Sequence, residues 1–346
     1  MLNLDEYEPN LVSVIIPTYN RANLITETIE SVVSQTYRPI ELIIVDDGSI
    51  DNTKESIELW KGTHENNDQF RLLYLYQNNT GHSAARNIGI IKSRGEFLQF
   101  LDSDDLLDRR KIELQMIALK ESNCTRIAYC PWRTLFDSSL LKYGPLRQKH
   151  SEQSEDCMLR GQLSGSWFVP LHSLLFPRKI VMQVGSWDEN ITIEADADYL
   201  IRTLVQEWKL LHVPDACVYY RRHQRGHVSS SIDMDNSLKR FSSNLKVRAK
   251  AYKLLEDIGK ADMYNNELKL SYASLTRKAA VYEEFVSLES CSNALRKLLS
   301  GVTVKKRHLL LRRAAKRLIR GHPFRIFRAK IGDYTLAWLG TLMARK

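Results

Sequence analysis

Four short apolar runs near the amino terminus each end in a polar loop, and this pattern limits the folds that the chain can adopt. The runs cover residues 11–16, 40–45, 71–76 and 97–101, and each has the length of a buried strand. Three segments with helical spacing of apolar residues, around 24–33, 54–61 and 84–91, separate them. The alternation predicts an α/β fold with a mostly parallel sheet, helices on its faces, and all four polar loops at one edge.

The fourth run stops in three carboxylates within four positions, Asp102, Asp104 and Asp105. Open α/β sheets bind ligands at the carboxyl edge of their strands, so these acids are candidate site residues. A cation would relieve the repulsion between neighbouring anions. Oxygen ligands suit Mg²⁺ or Mn²⁺, which would keep other coordination positions for phosphate oxygens. The alternative is an Asp-rich turn that caps a helix beginning near Leu106.

The middle and later parts of the chain predict further elements. Gly48 permits a tight turn after the second run, and the Asp51–Thr53 segment can cap the helix that follows. Beyond the weakly patterned stretch 127–170, the predicted strands are 173–176, 210–213 and 217–220, and the predicted helices are 178–184, 199–208, 237–257 and 268–286.

The charge of the chain is concentrated in its last segment. The 346 residues carry a formal net charge of +9, and residues 301–346 hold thirteen Lys or Arg with a single acid, Asp333. Residues 304–320 place basic side chains on one helical face and apolar ones on the other. This pattern indicates an interfacial helix on an anionic membrane surface, and aromatic residues extend it to about 343. A helix packed on the protein and a nucleic-acid patch are the alternatives, of which the nucleic-acid patch is the least favoured.

The remaining composition favours a globular, reduced protein. Hydrophobic residues make up 43% of the chain, which is enough for a sizeable core. The five cysteines are scattered without metal-ligand spacing, which fits a cytoplasmic location. The polar, acidic amino terminus is unlike a secretion signal, and no apolar stretch is long enough to span a membrane. The prediction is therefore a cytoplasmic protein that the tail can hold peripherally on the inner face of the cell membrane.

An ordered set of motifs resembles the family 2 glycosyltransferases, which have the GT-A fold. The motifs are Val14–Arg21, Val45–Ser49, Asn79–Gly89, Asp102–Asp105 and Gly185–Glu189. The resemblance implies an amino-terminal extension over 1–10 and a GT-A domain over 11–230. A helical region over 231–300 and the basic tail over 301–346 lie outside it.

The resemblance implies a site for a nucleoside diphosphate sugar. Its nucleotide-binding residues are Pro17, Tyr19, Asn20, Arg21, Asp46, Asp47, Arg86, Asp102 and Ser103. A tyrosine ring can stack on a base, a carboxylate can accept the uracil imide N–H, and a guanidinium recognises phosphate. The alternatives are that Asp47 only closes a turn and that Arg86 forms a salt bridge with Asp47 or Asp102.

The resemblance also implies a metal site, a base and a sugar pocket. Asp104 and His223 are the implied metal ligands, for Mn²⁺ or Mg²⁺. Asp196 is the implied general base, although Ala195 replaces an acid that the family usually shows and Glu194 or Asp198 stay open as alternatives. An N-cap role for Asp196 is the non-catalytic alternative. Trp187, Asp188, Glu189 and Arg222 would line the donor and acceptor pocket.

The expected activity is inverting transfer of a hexose or N-acetylhexosamine from a UDP-sugar to a hydroxyl of a carbohydrate or lipid-linked acceptor, in polysaccharide or glycolipid synthesis. A nucleotidyltransferase would need a Gly-rich, Lys-containing loop after the first strand, which residues 17–21 do not provide. A non-catalytic sugar-nucleotide-binding module is the third hypothesis, which Ala195 favours and the intact Asp cluster disfavours.

Overall fold

The computed structural model describes residues 7–63, 69–137, 142–147, 155–222, 234–268 and 270–271. The chain divides into two compact units, Met1–Arg240 and Phe241–Lys346. His223, most of the predicted 268–286 helix and the whole basic tail lie outside the described residues. Among the described helices, none is long and apolar enough to cross a membrane.

The described strands and helices follow the predicted alternation. The strands are β1 (Glu8–Thr18), β2 (Ile40–Asp46), β3 (Phe70–Tyr76), β4 (Gly95–Phe100), β5 (Leu106–Leu107), β6 (Arg126–Tyr129), β7 (Trp132–Asp137), β8 (Lys142–Tyr143), β9 (Leu174–Pro177), β10 (Lys209–His212) and β11 (Val218–Arg221). The helices are α1 (Ile25–Val33), α2 (Thr53–Thr63), α3 (His82–Lys92), α4 (Lys111–Glu121), α5 (Glu155–Ser164), α6 (Arg178–Val184), α7 (Ala195–Val205) and α8 (Met234–Asp257), with short 3₁₀ turns at Leu171–Ser173 and Ala261–Tyr264.

Seven of the described strands form the main sheet, in the order β10-β6-β9-β4-β1-β2-β3. Strand β1 pairs in parallel with β2 and β4, and β2 pairs in parallel with β3. The prediction of a mostly parallel sheet is therefore confirmed. Strand β9 is antiparallel to both β4 and β6, so it begins at the edge where β4 ends. A smaller sheet has the order β5-β11-β7-β8.

The core of the main sheet consists of apolar side chains that are buried on both faces. Every residue of β2 is buried, and α1 buries Ile25, Ile29 and Val32 at helical spacing. Helix α3 packs closely on β1, because a Cβ at Gly89 would lie 2.3 Å from Cγ2 of Ile15. Helix α3 begins in the segment after β3, and its first residue, His82, lines the cavity at the edge where the parallel strands end.

The alternative of a helix that begins near Leu106 and the predicted start of a helix at 199 were both wrong, and both affect the site. Leu106 begins the short strand β5 instead of a helix, and α4 starts only at Lys111. Helix α7 begins at Ala195, four residues before the predicted start. Asp196 therefore lies within the first turn of α7, and the N-cap position belongs to Glu194, whose φ of 65° is left-handed. The N-cap alternative for Asp196 is thereby excluded.

The second unit is described through residue 271. In α8, Val247, Ala251 and Leu255 are buried and recur every four residues, and the helix covers the segment 237–257 that was predicted to be helical. Nε of Arg248 donates a hydrogen bond to Oγ of Ser271 at 2.9 Å, which joins α8 to the segment that follows the second 3₁₀ turn.

Candidate active site

A cavity of about 690 Å³ opens at the carboxyl edge of the main sheet. It is lined by loops that follow β1, β2, β3 and β4, by the turn that precedes β9, and by the start of α7. The predicted site residues that line it are Pro17, Tyr19, Asn20, Arg21, Asp47, Arg86, Asp102, Ser103, Asp104 and Asp196. The sheet therefore brings together residues that are up to 179 positions apart in sequence.

Asp47 orders the loop between β3 and α3. Its Oδ1 accepts hydrogen bonds from the Thr80 N–H at 2.8 Å and from Nε2 of Gln77 at 2.7 Å, and its Oδ2 accepts one from the Gly81 N–H at 2.8 Å. Asp47 therefore does stabilise a loop through its side chain, as the turn-closing alternative proposed. A carboxylate has about four acceptor sites, so these three bonds leave capacity for a ligand at the cavity wall.

Two loops approach each other closely beside Asp47. Gly48 has a φ of +81°, and a Cβ there would lie 2.8 Å from the Asn79 nitrogen. Asn20 braces the same region, since its Oδ1 accepts from the Ile50 N–H and its own N–H donates to Oγ of Ser49, both at 2.9 Å. A glycine at position 48 is required both by the backbone conformation and by the space available.

Asp46 lies outside the cavity lining, contrary to its predicted contact with the nucleotide. Its side chain is buried; Oδ2 accepts from the Tyr74 hydroxyl at 2.8 Å and Oδ1 accepts from the Ser49 N–H at 2.8 Å. Asp46 is the last residue of β2, and its side chain lies on the same face of the sheet as Tyr74 of β3, whereas Asp47 lines the cavity.

Arg86 is the electrostatic centre of the site. The side chain is 4% exposed; Nη2 lies 2.7 Å from Oδ1 of Asp102, and Nη1 lies 3.2 Å from Oδ1 of Asp196. Its guanidinium also lies 4.5 Å from the centre of the buried Trp187 ring. Burial opposes the charged form of Arg86, but Asp196 and Asp102 outweigh this effect and raise its pKa. The salt bridge to Asp102 was an open alternative, and the structure adds Asp196 as a second partner.

The Asp cluster after β4 divides into three environments. Asp102 pairs with Arg86, and Oδ2 of Asp104 lies 3.4 Å from Nη2 of Arg21 at the cavity wall. Asp105 is buried, with its Oδ2 3.0 Å from Nδ1 of His172 and its Oδ1 accepting from the Arg221 N–H at 2.7 Å. Burial raises the pKa of Asp105 to about 6, His172 opposes that rise, and the neighbouring carboxylates add to it.

The three candidate bases differ in position. Asp196 and Glu194 line the cavity, whereas Asp198 is buried and its Oδ2 accepts from Nε of Arg202 at 2.9 Å. The Asp196 side chain is 45% exposed, so an acceptor can reach it. Enclosure by the site raises the pKa of Asp196, Arg86 opposes the rise, and Asp102 adds to it. A raised pKa makes a carboxylate a stronger base.

His82 and Thr192 line the cavity but were not predicted from the sequence. Nε2 of His82 bonds with the Thr192 carbonyl at 2.9 Å, and its Nδ1 lies 3.1 Å from Nη1 of Arg86. Enclosure by the surrounding protein and the neighbouring Arg86 lower the pKa of His82. The sequence signal was the position of His82, four residues before Arg86 on the same face of α3.

The predicted sugar-pocket residues do not line the cavity. Trp187 is a core residue stacked on Tyr199, with ring centroids 4.2 Å apart. Glu189 is exposed and its Oε1 accepts from Nδ2 of Asn87 at 2.8 Å, while Oδ1 of Asp188 accepts from the Asn190 N–H at 3.1 Å. Arg222 is exposed, and its N–H donates to the Leu135 carbonyl at 2.8 Å.

The cavity offers a sparse set of ligands for a divalent ion. Asp104 offers a carboxylate at the cavity wall, which suits a hard ion. The described residues do not bring three or more His, Cys, Asp or Glu side chains together as a metal site. Mg²⁺ and Mn²⁺ fit such a sparse set, because one or two carboxylates with water and substrate phosphates can complete their coordination.

Residues 13–184 match the family model described as "Glycosyl transferase family 2". The chain carries a family 2 glycosyltransferase domain. An uncharacterized glycosyltransferase of Rickettsia typhi is 36% identical over 206 residues, which cover 57% of this chain and 59% of that relative. The chain therefore spans less than two thirds of the length of this curated relative.

Solved structures share the fold of this glycosyltransferase domain. S. aureus TarS 1–349 in complex with UDP-GlcNAc has a TM-score of 0.62 and 16% identity, covering 83% of this chain and 80% of that one. The mannosyltransferase PcManGT from Pyrobaculum calidifontis in complex with GDP-Man and Mn²⁺ has a TM-score of 0.52 and 19% identity, covering 94% and 85%. The predicted family and the predicted GT-A fold are confirmed.

Proposed function

We propose that the chain is an inverting glycosyltransferase that moves a hexose or N-acetylhexosamine from a nucleoside diphosphate sugar to a hydroxyl acceptor. A UDP-sugar is the favoured donor. The observation that carries the proposal is the position of Arg86 between Asp102 and Asp196 in one cavity. The guanidinium joins a carboxylate at the end of β4 to the exposed carboxylate of α7. The neighbouring TarS and PcManGT structures, with UDP-GlcNAc and GDP-Man, support a sugar-nucleotide donor.

The base half of the donor would lie beside Tyr19 and Asp47. The Tyr19 side chain is exposed at the cavity and offers a ring for stacking, and Asp47 retains acceptor capacity for an imide N–H. Asp102 would accept from ribose hydroxyls. Arg21 and Arg86 supply positive charge for the diphosphate, and guanidinium groups suit phosphate oxygens geometrically.

Asp196 would remove the proton from the acceptor hydroxyl. The acceptor oxygen then forms a bond to the anomeric carbon while the bond from that carbon to the diphosphate oxygen breaks. A single displacement inverts the anomeric configuration. When bound, a divalent ion held by Asp104, with His223 as the second predicted ligand, would neutralise charge on the leaving diphosphate.

Hydrolysis and transfer assays with a panel of nucleotide sugars test this function. The panel contains UDP-Glc, UDP-Gal, UDP-GlcNAc and GDP-Man, each with Mg²⁺, with Mn²⁺ and with EDTA. We expect turnover of at least one UDP-sugar that EDTA abolishes. Release of pyrophosphate from a nucleoside triphosphate and sugar phosphate would instead identify a nucleotidyltransferase. Binding without turnover of any donor would identify a non-catalytic module.

The acceptor is proposed to be a carbohydrate or a lipid-linked saccharide in polysaccharide or glycolipid synthesis. Residues 304–343 combine basic and apolar side chains, and such a segment would hold the enzyme at an anionic membrane surface where lipid-linked acceptors lie.

A further inference from the structure

His172 presents a buried ring nitrogen that the proposed mechanism does not use. Nδ1 lies 3.0 Å from Oδ2 of Asp105, and both side chains are at most 2% exposed. Nε2 is also buried and has no hydrogen-bond partner among the residues that the structure describes. His172 lines the cavity. A buried polar atom without a partner is costly, and a ligand in the cavity would satisfy it.

The strand order places His172 beyond the Asp cluster, away from the nucleotide side. Residues 17–21 and Asp47 follow β1 and β2, and the Asp cluster follows β4. The next strand along the sheet is β9, which is antiparallel and therefore begins at this same edge, two positions after His172. A donor whose base lies at β1 and β2 and whose diphosphate lies at β4 would extend its sugar toward this residue.

A buried polar network holds the backbone of His172 in place. Nε2 of Gln99 donates to the His172 carbonyl at 3.0 Å, and Nε2 of Gln115 donates to the Ser173 carbonyl at 2.8 Å. Nζ of Lys111 bonds to Oε1 of Gln99 and lies 3.4 Å from the Leu174 carbonyl. Such a network fixes a ligand-binding side chain before the ligand arrives.

An aromatic wall continues from His172 toward the surface. The rings of His172 and Tyr220 have centroids 6.2 Å apart and planes 16° from parallel, and Phe168 lies edge-on to Tyr220 at 6.1 Å. Phe168 is 52% exposed and lines the cavity together with Tyr220. The apolar face of a hexose suits aromatic rings, while its hydroxyl groups need hydrogen-bond partners.

We propose that Nε2 of His172 binds a hydroxyl group of the transferred sugar, with Asp105 as the positioning residue that holds the ring. This inference rests on the proposed function and names the sugar contact within the same site. A hydroxyl fits the atom in either protonation state of the ring, because it can donate to a bare nitrogen or accept from an N–H. A phosphate oxygen can only accept, and it would lie near the Asp105 carboxylate.

The test measures discrimination at single hydroxyl groups. The substrates are the donor that the panel identifies and its 3-, 4- and 6-deoxy analogues. Each is assayed with the unaltered chain and with the His172→Asn and His172→Gln variants. Asparagine keeps a polar group beside Asp105 but has no atom at the position of Nε2. Glutamine is longer and can place an amide near that position. Binding of UDP alone is measured by calorimetry in parallel.

We expect the unaltered chain to lose about tenfold in kcat/KM with one deoxy analogue, the size of one lost hydrogen bond. The His172→Asn variant should lose a similar factor with the full donor, treat that analogue and the full donor alike, and bind UDP as before. The His172→Gln variant should recover part of the discrimination. Full discrimination in His172→Asn would overturn the proposal, as would an equal loss of UDP affinity.

Two further variants separate a sugar contact from loss of structure. The double variant Asp105→Asn/His172→Asn removes the buried carboxylate and its partner together. It therefore leaves no unpaired buried charge that would destabilise the fold. It should show the same lost discrimination. His212→Asn, on β10 beside Tyr129, is the matched histidine control and should discriminate like the unaltered chain. Failure of the unaltered chain to bind UDP or GDP or to hydrolyse any donor would refute the proposed function itself.

Discussion

Nη1 of Arg86 lies 3.2 Å from Oδ1 of Asp196, although 110 positions separate the two residues in the sequence. The same guanidinium contacts Asp102, so the proposed donor site and the proposed base share one cation. This arrangement couples the charge of the base to the nucleotide side of the cavity.

Loss of the Asp196 carboxylate should reduce turnover far more than donor binding. A general base acts on the acceptor proton in the transition state, and its removal costs roughly 10²–10⁴-fold in kcat. The Asp196→Asn variant should show that loss in the transfer assay and keep its affinity for UDP by calorimetry. Glu194→Gln is the comparison, because Glu194 also lines the cavity. An active Asp196→Asn beside an inactive Glu194→Gln would transfer the role of base to Glu194.

Removal of Arg86 should move the acid limb of the kcat–pH profile to higher pH. The Arg86 cation opposes the rise in the pKa of Asp196. Without the Arg86 cation the pKa of Asp196 rises further. When the pH is lowered, Asp196 then becomes protonated, and inactive as a base, at a higher pH than in the unaltered chain. The measurement is kcat at saturating donor across pH for Arg86→Gln. Arg94→Gln, whose arginine pairs with Glu8 and Glu41 away from the cavity, is the control, and a limb that stays in place in both would contradict the coupling.

Loss of the Asp104 carboxylate should weaken metal-dependent binding of the diphosphate and abolish transfer. The ion would lose its predicted carboxylate ligand and the phosphates their counter-charge. Calorimetry with UDP, with and without Mn²⁺, compares Asp104→Ala with the unaltered chain. Asp215→Ala removes an exposed aspartate outside the cavity lining and should bind like the unaltered chain. Equal Mn²⁺ dependence in all three proteins would exclude Asp104 as a ligand.

The buried Lys111 should make stability increase with pH above about 7. Burial lowers the pKa of Lys111 from 10.5 to about 7, so between these values the unfolded chain binds a proton that the native chain does not. The free energy of unfolding then rises by up to about 1.4 kcal/mol for each pH unit in this window. Urea unfolding from pH 7 to 9 should show a steeper rise for the unaltered chain than for Lys111→Met. Parallel profiles would show that Lys111 titrates at a similar pH in both states.

The basic tail should bind vesicles that contain anionic lipid. Each Lys or Arg near an anionic surface contributes about 1 kcal/mol, and the apolar face adds burial. Full-length protein should co-sediment with anionic vesicles, and the bound fraction should fall as the salt concentration rises. It should not co-sediment with neutral vesicles. Replacement of Lys305, Lys306, Arg312 and Arg313 by Gln keeps the apolar face and should release the protein.

A chain that ends at Ser300 distinguishes the membrane-binding hypothesis from the two alternative interpretations of the tail. It should remain in solution and bind UDP, because the proposed donor-site residues lie before position 231. An insoluble truncation together with no lipid binding would indicate a helix packed on the protein. A salt-sensitive shift with RNA that exceeds the lipid effect would indicate a nucleic-acid surface.

The amino-acid sequence is enough to predict the four parallel strands, the helices between them and the edge at which polar loops gather. These features depend on local spacing of apolar residues and on turn residues such as Gly48, which act over a few positions. The motifs then identified Arg86, Asp104 and Asp196 as residues of one site. The placement of Arg86 and Asp104 in one cavity follows from the rule that segments after parallel strands share an edge, since α3 follows β3 and Asp104 follows β4. Asp196 reaches the same cavity from α7, which that rule does not cover.

Contacts between segments that are distant in sequence depend on how the chain packs in three dimensions. The antiparallel direction of β9 brings His172 to Asp105, and no local pattern encodes that direction. In α7, Asp196 is exposed in the cavity whereas Asp198 is buried against Arg202. The two residues differ because side chains two positions apart on a helix point in nearly opposite directions. Strand order, strand direction and helix rotation are fixed by packing of the whole domain, so these distinctions lie beyond spacing and motif.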